Sequence, residues 1–473
     1  MIGILSTGAY IPPTRLPLTA PSGRPAREGG PEKAVAWNDE DSVTMGVSAA
    51  VHCLGDLPRE QVDGLLFAST SHPFKEKQAS ALIARALDLR RDVQTADHAG
   101  SLRAGTAALR AAIDAVTAGS ARCVLVIASD CRMGAPGSGL ELNFGDGAAA
   151  FLVGDGNAVA TLDASYAVAD EIVDVWRSDG DPFVHTWEDR FVVQEGYTPR
   201  SIEAVQGLLE KSGTSLGDYA KVALYAPDKR SHGATARALG LTAEQTQDSL
   251  FGRLGNTGAA FAPMLLIAAL EEASPGDRLL VTAYGDGAEA LSFSVTEQIE
   301  KADARRGMAF NLARRREVSS YDKYLKARNL ETAEWARGND PGLSATIHFR
   351  ERNEDLGLKG QQCRACSAIQ FPCQRVCESC FALDDFDLVR LSDRQGTVVT
   401  YTFDYFFPTP DPPTVVTVTE IDGARLHLQL VNCSTEETRI GLPVEFVFRR
   451  IHQSGGRPNY YWKGSPLPEE GTE

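Results

Sequence analysis

One four-residue phrase occurs twice in this chain. Gly145-Asp-Gly-Ala-Ala-Ala-Phe-Leu-Val153 is a glycine turn followed by an apolar run, and 140 residues later Gly285-Asp-Gly-Ala-Glu-Ala-Leu-Ser-Phe-Ser-Val295 repeats the arrangement. Glycine and aspartate turn the backbone, and the short apolar runs behind them read as buried strands. Upstream, residues 62–69 and 123–129 also read as buried strands, and the Ala-rich stretch 101–116 between them has helical spacing. Strands alternating with helices imply parallel pairing through helical crossovers, hence an α/β core. The echo divides that core into two related halves, residues 1–165 and 166–300.

Working outward, the chain has 473 residues, of which 43% are hydrophobic, so it can bury a real core in two to four domains and is not generally disordered. No apolar run approaches the roughly 18 residues of a membrane span. The amino terminus, Met-Ile-Gly-Ile-Leu, has no basic segment, so no secretory signal is expected. A net charge of −16 argues against a phosphate-backbone partner. Residues 301–350 are densely charged and read as a partly exposed helical linker. Beyond it, residues 398–404, 414–419, 426–431 and 444–450 are rich in Val, Thr, Phe and Tyr, the pattern of a small β-barrel of OB type over residues 386–473.

Five of the nine cysteines fall between Cys363 and Cys380, which fits a metal site in a reducing cytoplasm better than a disulfide scaffold. Cys363-Arg-Ala-Cys366 and Cys377-Glu-Ser-Cys380 are two knuckles separated by ten residues. Each places two thiolates on one tight turn, and together they close a tetrahedral site within a zinc ribbon over residues 351–385. Zinc is the first choice and iron the runner-up. Four thiolates leave no open coordination position, so the metal is expected to be structural, with Cys373 a bystander. Residues 351–473 hold 12 Lys+Arg against 18 Asp+Glu, a balance that points this module toward an acyl ligand or a protein rather than nucleic acid.

With these residues in view, the first 300 resemble the thiolase superfamily, closest to its hydroxymethylglutaryl-CoA synthase-like branch. The resemblance runs through Asp39-Glu-Asp-Ser-Val-Thr-Met45, Ser69-Thr-Ser-His-Pro73, Ala104-Gly-Thr-Ala107, Gly145-Asp-Gly-Ala-Ala-Ala150, Gly255-Asn-Thr-Gly258 and Ala283-Tyr-Gly-Asp-Gly-Ala288. The remainder is similar to the rubredoxin-like zinc ribbon plus OB-fold domain found partnered with thiolase-like enzymes. The resemblance implies a five-layered αβαβα thiolase fold with two pseudo-repeats. It also implies a CoA thioester substrate, an acyl-CoA or acyl-carrier protein as partner, and a homodimer.

That family acylates a Cys, moves a proton with a Glu, and polarises the thioester carbonyl with a His and an Asn. Carried over, the Asn falls on Asn256 and the Glu on Thr70. The nucleophile falls on Leu102 without a gap, or on Ser101 with a one-residue shift. The His falls on Tyr225, in Tyr225-Ala-Pro-Asp228. Leu cannot attack a thioester and Thr is no carboxylate base, whereas Tyr and Asn can still donate hydrogen bonds to a developing oxyanion. Ser101 also suits a helix cap, and His72 and His98, flanking the same region, can supply a base or simply brace turns. Two readings follow. One is an enzyme of aldol or Claisen type, or an acyltransferase, with a non-standard site of Tyr225, Asn256 and Ser101 lined by Thr70, His72, His98 and Leu102. The other is a catalytically degenerate scaffold that holds a thioester for a partner enzyme.

Overall fold

Each glycine turn leads into an antiparallel strand, and the strands around the two turns follow the same plan. In the first half β1 (Ile2–Tyr10), β2 (Gly64–Ala68), β3 (Gln94–His98), β4 (Cys123–Asp130) and β5 (Gly147–Asp155) lie in the order β3-β2-β4-β5-β1. β2 is parallel to β3 and β4, and β5 is antiparallel to β4 and β1. The second half lays β6 (Ala160–Ala169), β7 (Lys221–Leu224), β8 (Arg278–Tyr284) and β9 (Gly287–Val295) in the order β7-β8-β9-β6 with the same senses. The place equivalent to β3 is held by one parallel bridge, Val222 to Thr246. The duplication suggested by the echo is therefore a duplication of topology.

The crossover helices repeat as well: α1 (Ser42–Leu54), α2 (Ala79–Ala86) and α3 (Ala104–Thr117), then α4 (Thr198–Ser212), α5 (Lys229–Ala238) and α6 (Phe261–Glu271). α3 lies against β4 and β5, α6 against β7 and β8, and the two helices touch. α1 covers the other side of β1 and β5, and α4 covers β6 and β9. The layers are thus helix, sheet, helix, sheet, helix. α6 is buried from Phe261 to Leu270, as an apolar helix in the middle layer must be, whereas α4 buries only the stripe Ser201, Ala204, Val205 and Leu208. At Gly105 α3 comes up against the turn that leads into α6, and a Cβ there would collide with the Ala259 carbonyl oxygen. The helix expected from residue 101 begins at Ala104. Ser101 does not cap it; its hydroxyl donates to the Gly285 carbonyl at 3.2 Å and accepts from the Arg103 N–H at 3.3 Å.

The computed structural model describes residues 1–24, 27–187, 189–302, 306–330, 345–407, 409–454 and 457–468. They fall into two units, Met1–Ala36 with Asp41–Tyr321, and Trp37–Glu40 with Asp322–Glu473. Of the expected linker, 303–305 and 331–344 lie outside the described residues; around them are short helices Met308–Ala313 and Tyr321–Ala327 and the longer Ala345–Asp355. Among the described residues no helix is long and apolar enough to cross a membrane.

In the second unit β10 (Lys359–Cys363) pairs with β11 (Ile369–Gln370) and β12 (Phe386–Arg390). A closed five-stranded barrel follows: β13 (Gly396–Asp404), β14 (Thr414–Ile421), β15 (Ala424–Leu430), β16 (Pro443–Ser454) and β17 (Arg457–Pro466), in the order β13-β14-β15-β17-β16. Leu426, Leu428, Phe448 and Trp462 are buried in it. The same unit buries an ionic cluster. Lys463 Nζ lies 3.0 Å from Asp39 Oδ2, and Arg449 Nη2 3.0 Å from Glu40 Oε1. Burial pushes the Asp39 carboxyl up, but Lys463 and Arg449 outweigh it and hold the group below the usual carboxylate range.

Candidate functional site

The segment Gly255-Asn-Thr-Gly258 leads into α6, and its hydrogen bonds define the site. The Asn256 backbone N–H donates to the Asn143 carbonyl at 2.7 Å, and its carbonyl accepts from Gly145 at 3.1 Å. Its side-chain Oδ1 accepts from the Gly258 N–H at 2.9 Å. Its Nδ2 donates to the Ala226 carbonyl at 2.9 Å and to the Tyr225 hydroxyl at 3.2 Å. The structure thus joins Tyr225 and Asn256, but both Asn256 amide protons are already placed. The Tyr225 oxygen receives one of them, which leaves its own proton to give. Tyr225 is 3% exposed. Burial pushes its phenol above the ordinary range, against the nearby Arg132 guanidinium and the Asn256 hydrogen bond, which pull the other way.

Beside this pair lies a cavity of about 280 Å³ in the first unit. Tyr225, Asn256 and His98 are not among its lining residues; Ser69, Thr70, His72, Ser101, Leu102 and Arg132 are. Asp174, Trp176, Arg177 and the second glycine turn, Gly285 and Asp286, complete its wall. The Ser69–Ser71 wall is fixed by one carboxylate, Asp130 at the end of β4. It accepts from the hydroxyls of Ser69, Thr70 and Ser71 at 2.9, 2.8 and 2.7 Å, and from the N–H groups of Thr70, Ser71 and Ala259 at 2.7, 2.9 and 2.7 Å. Thr70, at the position the resemblance assigns to a Glu, therefore anchors its loop. Leu102 is 9% exposed and presents only methyl groups. His72 packs edge-on against Phe67, and its buried Nε2 has no hydrogen-bond partner among the described residues. His98 ends β3, half-buried, with burial pushing its imidazole down toward the neutral form.

Sequence reasoning missed Arg132 and Asp130. Asp130 is the last residue of β4 and Arg132 lies two residues beyond it; the signal was this pair of charges closing a buried strand, groups that need partners.

In the second unit the two knuckles adopt one conformation. The N–H of Ser367 donates to the Cys363 carbonyl at 2.8 Å, and the N–H of Phe381 donates to the Cys377 carbonyl at 3.0 Å. The residue after each second cysteine has positive φ, 62° at Ser367 and 63° at Phe381. The four sulfur atoms lie within 4.8 Å of one another, with Cys363–Cys380 and Cys366–Cys377 both at 3.6 Å. A metal–sulfur bond of about 2.3 Å spaces tetrahedral sulfurs by about 3.8 Å, so the donor set fits a metal of that kind. Cys373 stands apart, its thiol pushed up to about 11 by burial and by Glu354.

Across 343 residues, 69% of this chain and 94% of the relative, the sequence is 34% identical to hydroxymethylglutaryl-CoA synthase of Aeropyrum pernix. Across 341 residues it is 30% identical to the same enzyme of Methanocaldococcus jannaschii, covering 99% of that protein. The chain belongs to the hydroxymethylglutaryl-CoA synthase family. The fold agrees: a crystal structure of HMG-CoA synthase complexed with CoA superposes with a TM-score of 0.64 over 72% of this chain and 94% of that one, at 20% identity. The HMG synthase of the curacin biosynthetic pathway superposes at 0.60 over 75% of this chain and 95% of that one, at 21% identity. Residues 209–296 match the C-terminal model of 3-oxoacyl-[acyl-carrier-protein] synthase III, and residues 388–449 match the C-terminal OB-fold domain of ChsH2. This family member is therefore a thiolase-type acyl-CoA enzyme fused to an OB-fold module with a four-cysteine cluster.

Proposed function

We propose that this chain carries out aldol- or Claisen-type carbon–carbon chemistry on a CoA thioester without an acyl-enzyme. The observation that supports it is the Tyr225 hydroxyl, which accepts a hydrogen bond from Asn256 and so has a proton to offer a developing alkoxide or enolate oxygen. In the cleavage direction a base takes the proton of a 3-hydroxyacyl thioester and the carbon–carbon bond breaks. The electron pair then passes to the thioester enolate, which is reprotonated at carbon. His72 is read as that base, supported by its position on the cavity wall and an Nε2 with no hydrogen-bond partner among the described residues. Ser101, held by Gly285, has a positioning role at the start of α3. Tyr225→Phe is expected to lower kcat by about 10²–10⁴ while the protein stays folded. Near-wild-type turnover would remove Tyr225 from the mechanism.

The alternative, a scaffold that holds an acyl-CoA or acyl-carrier protein for a partner enzyme, draws support from Leu102 and from the burial of Tyr225. The same assay separates the two, because a scaffold turns over nothing alone and gains activity only with its partner. The cysteine cluster is read as a structural zinc site held by Cys363, Cys366, Cys377 and Cys380. Elemental analysis is expected to find one zinc per chain, and Cys363→Ser to lose the metal and melt the second unit first. Iron in place of zinc, or no metal in a folded protein, overturns this reading.

A further inference from the structure

The mechanism above returns a proton to carbon without naming the group that carries it. Thr70 offers no carboxyl, only a hydroxyl already given to Asp130 at 2.8 Å, and the Leu102 side chain offers no proton at all. A carboxyl is nevertheless present on the wall. Asp174 is 6% exposed and lines the cavity together with His72 and Ser101. It directly precedes a short hairpin in which Val175–Trp176 pairs with His185–Thr186. Three contacts pin that hairpin. Trp176 stacks on His185 at 5.8 Å, the Val184 N–H donates to the Met133 carbonyl at 2.8 Å, and Arg177 donates to the Thr70 carbonyl at 2.6 Å.

The neighbours of Asp174 suit it to carry a proton. Burial and the Asp286 carboxylate push its carboxyl up, against the Val175 N–H and the Tyr284 hydroxyl, which pull it down. Burial also pushes the Tyr284 phenol up, and Asp174 and Asp286 add to that, so Tyr284 keeps its own proton. Asp286 stands in the second glycine turn with φ +52°, an uncommon backbone for a residue other than glycine, and is exposed on the cavity wall. Where two carboxyls share one wall, the buried one is the one that holds on to a proton. Arg132 lies over the Phe144 ring at 4.2 Å, and a Cβ on Gly258 would stand 2.7 Å from its Cδ. The charge of Asp174 acts on this guanidinium and on the Tyr225 phenol, so the carboxyl is within electrostatic reach of the hydroxyl that serves the substrate oxygen.

We infer that Asp174 is the catalytic residue that exchanges a proton with the α-carbon of the thioester. This rests on the thioester reading above and supplies the group that serves its carbon. In cleavage the enolate's electron pair forms the new C–H bond, the carboxyl O–H bond breaks, and its pair stays on Asp174 as a carboxylate. The proton that the base took from the substrate hydroxyl passes to water and Asp174 regains one from water, so the count of protons is unchanged. In the condensing direction the carboxylate removes the α-proton. Asp286 is a positioning residue that acts through Asp174.

The test follows the α-hydrogens of propionyl-CoA incubated with the full chain in heavy water. The wild type is expected to exchange them for deuterium, read by mass spectrometry. Asp174→Asn is expected to lower the exchange rate by about 10²–10⁴ while propionyl-CoA still binds in calorimetric titration, and Asp174→Glu to restore part of the rate. Removing an α-hydrogen requires the carboxylate form, so the rate rises with pH and then levels off. Asp286→Asn takes away a like charge and is expected to move that rise to lower pH, a shift that a merely structural aspartate would not give. Exchange that survives Asp174→Asn, or a loss of exchange accompanied by loss of binding, overturns the role of Asp174 and leaves the thioester reading standing. A wild type that binds propionyl-CoA without exchanging its α-hydrogens overturns both.

Discussion

The two glycine turns hold equivalent places in the two halves, and each grips the start of the other half's middle helix. Gly145 donates to the Asn256 carbonyl ahead of α6 at 3.1 Å. Gly285 offers its carbonyl to Arg103 Nε at 2.6 Å and to the Ser101 hydroxyl at 3.2 Å, ahead of α3. The framework is the same, but the residues it presents differ. At α6 it presents Asn256, every polar atom of which is hydrogen-bonded; at α3 it presents Leu102, whose side chain has none to bond. The first turn is a buried brace, with Asp146 Oδ2 accepting from the Ala36 N–H at 2.7 Å, whereas the second lines the cavity. The clamp is present twice, while the residues it positions differ.

Substitution at the helix starts is the strongest way to break this comparison. Asn256→Ala strands the Ala226 carbonyl, the Gly258 N–H and the Tyr225 hydroxyl in a buried place, for an expected loss of about 3–5 kcal/mol in chemical denaturation. Leu102→Ala, a cavity at a partly relaxable edge, is expected to cost about 2–3 kcal/mol. A smaller loss at Asn256 than at Leu102 would show that the two starts are not built differently.

The turns come next. A Cβ on Gly145 collides with the Leu254 carbonyl oxygen, which is backbone and cannot swing away, so Gly145→Ala is expected to cost about 2–3 kcal/mol. At Gly285 the nearest atoms, Leu102 N and Ser101 Oγ, are 3.0 Å away at a wall that faces the cavity, and the cost of Gly285→Ala comes mainly from its φ of +154°, about 1–2 kcal/mol. Equal melting shifts for the two variants would remove the distinction between brace and wall.

The smallest effect lies one turn further along, where Ala149 of β5 corresponds to Glu289 of β9. Burial pushes the Glu289 carboxyl above its ordinary value of 4.5, against the Thr106 hydroxyl and Arg103, which pull it down. A carboxyl with a raised value binds its proton more tightly when folded. It therefore favours the fold below pH 4.5, and that contribution is lost as pH climbs through the folded value. Glu289→Gln removes this dependence. Relative to wild type, the variant is expected to gain stability between about pH 4 and pH 8, read from denaturation midpoints at both. A difference that does not change with pH would mean Glu289 keeps its ordinary affinity for protons.

Much of the architecture was legible where local chemistry is sufficient. The repeated glycine turns mark β5 and β9 because turn residues and apolar runs act over a few positions, and the paired knuckles mark the cysteine cluster because four thiols so close have few other uses. Strand β17 was not legible: Arg457–Pro466 carries proline at its second and last positions and Lys463 and Gly464 near its end, and it is held by its partners in a closed barrel. The start of α3 was misplaced because Ser101 bonds to Gly285, a partner in the other half. Tyr225 and Asn256 could be singled out by their motif positions. That they bond to each other, and that Arg132 is buried beside them, depends on Gly258 and Phe144, and no spacing rule links such residues.

The reciprocal clamp has a consequence for how such a protein can change. Neither half is a separable module: an exchange that replaced residues 160–300 would carry away the carbonyls that seat Arg103, and the first half would lose the wall on which its own helix opens. A change at Gly285 or Asp286 is thus transmitted to the opening of a helix in the other half, because the carbonyls of both hold the Arg103 guanidinium.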